Sequence, residues 1–159
     1  PEAAKDVEGE NAAALVQVIE ALRAAFDVLD APILFGGSSG GAIFLSSSFV
    51  PSYGARFPGV HAWSCGGDAP WSGRLDWDAQ DPATGTATKF FFTYGDKDFL
   101  VPDITRAIGF YRDAGLALDT QVVAEDAAPA STHCGNVDGT YSYDQLGRVA
   151  EVWADAIAD

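Results

Sequence analysis

The pentapeptide Gly37-Ser38-Ser39-Gly40-Gly41 sets a serine in a glycine-rich turn, after the apolar run Ile33-Leu34-Phe35 and before the small-residue segment that begins at Ala42. A G-x-S-x-G turn of this kind holds its central serine on a tight bend, and side chains beside it would stop the backbone from approaching itself. Where a helix follows, the Ser39 hydroxyl projects above the sheet and the Gly40 N–H donates to a developing oxyanion. The chemistry is nucleophilic attack on an acyl carbon. A plainer reading of the same glycines is a strand–helix turn or an anion-binding loop.

A serine nucleophile needs a base, and histidine is the usual one near neutral pH. Of the two histidines, His61 falls at the start of a strand, away from the loop rim where sites assemble in open α/β sheets, and reads as structural or surface. His133 lies in Ala130-Ser131-Thr132-His133-Cys134-Gly135, a loop that follows the last expected strand and leaves it at the rim of Ser39. That makes His133 the candidate base. The third member is a carboxylate in Tyr94-Gly95-Asp96-Lys97-Asp98-Phe99-Leu100-Val101-Pro102. Asp96 is nearer the strand end, whereas Asp98 fits the pattern G-x-x-D-x-x-V-P and is preferred for that reason. Chain order admits either acid.

The elements that must position these groups alternate. Leu15, Val18, Ile19, Leu22, Phe26 and Leu29 recur at helical spacing, and Asn11 is the expected N-cap. Ile33-Leu34-Phe35, Val60–Ser64, Lys89–Tyr94 and Leu118–Val123 are the expected strands. Helices are expected over Ala42–Phe49, from Pro102 to Ala114, and from about Asp144, with Leu146, Val149, Trp153 and Ile157 on one face of the last. Strands alternating with helices predict an α/β fold, a parallel sheet of about four strands with helices on both faces. Residues 1–10 read as a polar, flexible N-terminal segment, and 11–159 as one domain.

Composition narrows the function. The 159 residues carry 9 Lys plus Arg against 23 Asp plus Glu, a net charge of −14 that repels phosphate backbones and argues against nucleic-acid binding. At 48% hydrophobic the chain is expected to bury a core, and it has no apolar run long enough to span a bilayer. The acidic surface suits extracellular or salty surroundings. The chain begins at Pro1, contains no Met and shows no signal segment, which does not speak for the cytosol.

The elbow, the Gly95-x-x-Asp98-x-x-Val101-Pro102 segment and His133, in the order Ser, Asp, His, resemble the α/β-hydrolase family. With Phe57-Pro58-Gly59-Val60 after the serine helix, the likeness narrows to secreted serine esterases and polyester depolymerases of the PHB type. It covers about residues 11–158. The resemblance implies cofactor-free ester hydrolysis through an acyl-enzyme, with Ser39 as nucleophile, His133 as base and then acid, and Asp98 orienting the imidazole. The family's early strands and second oxyanion donor have no counterpart upstream of Asn11, so the chain reads as the C-terminal portion of such a domain. A missing N-terminal half, or self-association through the bare edge of the first strand, is the partner this reading implies. The substrate is expected to be a small-molecule or polymeric ester, with Ser38 and Trp71 as candidate contacts. A serine peptidase of the same fold and a non-catalytic binding module are the rival functions.

Cys65 and Cys134 both fall near the rim, and a bridge between them would close a loop of about 70 residues and stabilise the fold by roughly 4 kcal/mol. Two buried thiols are the alternative. Zinc is not expected, because His61 and Cys65 lie about 13 Å apart along a strand. Asp76, Asp78 and Asp81 read as a solvated acidic loop rather than a calcium site. Trp71 and Trp77 either flank an open site or pack their loop onto the domain.

Overall fold

Four strands pair in parallel in the order β1-β2-β3-β4: β1 Ile33–Ser38, β2 Gly59–Ser64, β3 Lys89–Gly95 and β4 Ala117–Val123. The computed structural model describes residues 6, 9–26, 33–123, 133–134, 150–151 and 154. Helix α1 (Glu10–Phe26) precedes β1. After β1 come α2 (Gly40–Phe44), a π-helical segment Leu45–Phe49 and α3 (Val50–Tyr53), which run on as one rod, and α4 (Val101–Asp113) links β3 to β4. The all-parallel four-stranded sheet with helices is the expected α/β class. The expected last helix lies outside the described residues except for Ala150, Glu151 and Ala154, which are helical. No described helix is long and apolar enough to cross a membrane.

The core forms because strand registry stacks aromatic rings. Phe35, His61 and Phe90 are cross-strand partners on β1, β2 and β3. Their rings lie 4.7 Å and 5.1 Å apart. Phe49 of the π-helical segment packs on Phe35, and Tyr111 of α4 packs on Trp63 and Phe90, so both helices cover this face. Val60 and Ala62 point to the opposite face and are also buried, as a central parallel strand requires.

Helix α1 departs from its expected face. Ala12 and Val16 are its buried residues, Leu15 and Ile19 are partly buried, and Val18, Leu22 and Phe26 are exposed. The small side chains face inward where the helix meets the core, which leaves a second apolar stripe outside. Its N-terminus is capped by Asp6 rather than Asn11: the Asp6 carboxylate accepts from the N–H groups of Asn11 and Ala12 and from the Ser48 hydroxyl. Burial alone would raise the Asp6 pKa, but these donors outweigh it and hold the carboxyl below its ordinary value.

His61 is fully buried, and neither ring nitrogen has a hydrogen-bond partner among the described residues. Burial pushes its pKa from 6.5 down to about 3. The folded pKa therefore lies below the unfolded one, and stability is lost as pH falls through 6.5. The slope is at most about 1.4 kcal/mol per pH unit. His61→Phe keeps the stacked ring and removes the proton site. Urea unfolding at about pH 7.5 and 5 is expected to show the native chain losing about 2 kcal/mol more than the variant over that interval. Equal losses would contradict the burial of a neutral imidazole.

Candidate active site

The glycine-rich turn is strained at Ser39, as its sequence predicts. Ser39 sits at φ 51, ψ −120, a left-handed conformation that costs a non-glycine residue about 1–3 kcal/mol. Its N–H is held by Ser64 O at 2.9 Å, and Ser39 O accepts from Ile43 as the helix starts. Two glycines make the bend passable. A Cβ at Gly37 would lie 2.9 Å from the Ala42 backbone, and one at Gly66 only 2.3 Å from Ser39 O. Gly66→Ala is thus expected to displace the serine and destabilise the fold by about 1–3 kcal/mol. Comparing the melting temperatures of the native protein and the variant checks this.

Three side chains from distant segments meet above this turn. Ser39 Oγ lies 2.6 Å from His133 Nε2, and His133 Nδ1 lies 3.0 and 3.1 Å from the two Asp98 oxygens. An ionised carboxylate only accepts, so Nδ1–H donates to Asp98 and Nε2 is left to accept from the serine hydroxyl. The N–H groups of Leu100 and Cys134 also donate to Asp98, each at 2.9 Å. Its side chain is fully buried, whereas that of His133 is 27% exposed. Asp96, the competing acid, is exposed.

Cys65 and Cys134 form a disulfide with Cα atoms 4.9 Å apart. The ligand-type atoms of Cys65, His133 and Cys134 lie within 4.8 Å of one another. Both sulfurs are committed to the bridge and both imidazole nitrogens to the triad, so this set does not fit a metal ion in its present state.

The helix that carries Ser39 is fixed from outside. Pro51 has no N–H to give the carbonyl four residues back, and the freed Ser47 O accepts from the Trp71 N–H at 3.2 Å. The Tyr111 hydroxyl donates to Ser46 O, the Asp76 N–H to Pro51 O, the Asp68 N–H to Ser46 Oγ, and the Trp77 indole to Val50 O. The Asp- and Trp-rich loop is thus docked along the π-helical segment. Asp76 pairs with Arg74, while Asp78 and Asp81 accept from backbone N–H groups two residues on.

Of the candidate substrate contacts, Ser38 turns its hydroxyl to the disulfide, 3.4 Å from Cys65 Sγ and 3.9 Å from Cys134 Sγ. Trp71 lines a cavity of 330 Å³ with Asp6, Gly9, Ser47, Ser48, Pro51, Ser52 and Ser72, a set that includes no triad residue. Sequence reasoning missed Phe99, which is 61% exposed with its ring 4.7 Å from the His133 ring. Its only signal was an aromatic residue directly after Asp98 in the Gly95–Pro102 segment. Comparisons with protein-family models, with curated proteins and with solved structures gave no match.

Proposed function

We propose that this chain is a serine hydrolase of the α/β-hydrolase type that cleaves carboxylic esters through an acyl-enzyme. The observation that carries the reading is the unbroken hydrogen-bonded series Ser39–His133–Asp98, anchored on a serine at positive φ where a helix begins. His133 Nε2 takes the Ser39 proton as Oγ attacks the ester carbonyl, and the Gly40 N–H faces the developing oxyanion. The imidazolium, held by Asp98, then gives that proton to the leaving alkoxide. Water deprotonated by His133 hydrolyses the acyl-enzyme and returns the site to its starting state. No cofactor is required. The exposed Phe99 ring beside the base suits an apolar acyl group or a polymeric ester. The buried disulfide suits an oxidising, extracellular compartment.

Hydrolysis of p-nitrophenyl acetate, butyrate and palmitate, set against the matching p-nitroanilides, tests the reading. Turnover of the esters that disappears in Ser39→Ala is the expected result. Faster turnover of the anilides would favour the peptidase, and no turnover of either class would favour a binding module.

A further inference from the structure

We propose that the Cys65–Cys134 disulfide positions the catalytic base, so that its reduction by a dithiol switches hydrolysis off; this rests on the serine-hydrolase reading above. Cys65 follows β2 directly, is fully buried, and ties its N–H to Thr93 O of β3 at 2.8 Å. The sulfur therefore starts from the rigid centre of the sheet. Cys134 is the residue next to His133, and its N–H donates to Asp98. A covalent path thus runs from the sheet through both sulfurs to the backbone of the base.

The bridge has the setting of a local clamp. Cys65 and Cys134 form an apolar cluster of their own among the described residues, with Val123 packed against it, separate from the aromatic core. Losing the bond removes an anchor of His133 without opening the main core. The freed thiols would also lie beside the imidazole, since Cys65, His133 and Cys134 already place their polar atoms within 4.8 Å, and would compete for it with Ser39 and Asp98. In the switching step the S–S bond breaks and each sulfur takes up one electron and one proton. The dithiol supplies both electrons and both protons and closes to its own disulfide.

The test compares oxidised protein with protein treated with dithiothreitol, reduction being verified by titration of the freed thiols. Displacing a catalytic group by about 1 Å costs on the order of 10²-fold, so kcat on p-nitrophenyl butyrate is expected to fall by that factor. KM is expected to stay within about twofold, since the binding surface is kept. The near-ultraviolet circular dichroism of the aromatic core should persist, and reoxidation should restore the rate. The Cys65→Ser/Cys134→Ser double variant should match the reduced protein. A reduced protein with undiminished kcat overturns the proposal. So does a fall in kcat that coincides with loss of the core signal, because the bridge would then be a staple of the whole fold. If the oxidised protein hydrolyses no ester, the function reading fails by itself. The downfield proton resonance of His133 Nδ1–H, lost on reduction or retained, still decides the positioning role.

Discussion

Alanine at position 39 is expected to lower kcat for ester hydrolysis on the order of 10⁶-fold, because removing the nucleophile of a serine triad costs about as much as removing the whole set. The fold should not suffer. Ser39 already carries a Cβ at φ 51, so alanine meets the same backbone strain. The hydroxyl's polar partner at the site is His133 Nε2, which is partly exposed and can turn to water. Melting within about a degree or two of the native protein, together with loss of turnover, separates a chemical role from a structural one. A variant that keeps even a tenth of the native rate would show that the hydrolysis arises elsewhere.

Asparagine at position 98 is expected to lower kcat by about 10⁴-fold, whereas Asp96→Asn is expected to leave it within about twofold. Three N–H groups converge on the Asp98 carboxylate, from His133, Leu100 and Cys134. An amide has one oxygen to offer them, so its NH2 must face at least one donor. The relief is to turn the imidazole to the other tautomer, with Nε2 protonated and unable to accept from Ser39. Asp96, by contrast, is exposed and contributes its backbone N–H to Val123 O, a bond the substitution leaves intact. Rates of the two variants on one ester decide which acid serves the base. Equal losses would contradict the assignment.

What the sequence made legible follows from how local the signals are. Three strands were readable because largely covered strands of a parallel sheet are written as short apolar runs, and β1 to β3 extend those runs by one to three residues; β4, an edge strand that is polar at its centre and mostly exposed, starts one residue before its expected bound. The preference for Asp98 over Asp96 followed the spacing to Val101-Pro102, and Asp98 is the acid that meets His133. Helix α1 was misread in its facing because periodicity counts apolar residues without weighing size, and the core selected Ala12 and Val16 over Val18, Leu22 and Phe26. The π-helical segment and the docking of the Trp77 loop had no local signature. They depend on carbonyls that Pro51 and the end of the helix leave open to partners far along the chain. The full burial of His61 was hidden for the same reason: its cost is set by the rings of Phe35 and Phe90, which only strand pairing brings beside it.

Ester hydrolysis by this chain requires Ser39 to be an activated nucleophile. Incubating the oxidised chain with a fluorophosphonate probe and taking its intact mass, with Ser39→Ala alongside, measures this directly. One covalent adduct on the native chain, mapped to Ser39 and absent from the variant, is the expected result. A folded, oxidised native chain that takes up no probe, or that carries the adduct on another residue, would contradict it.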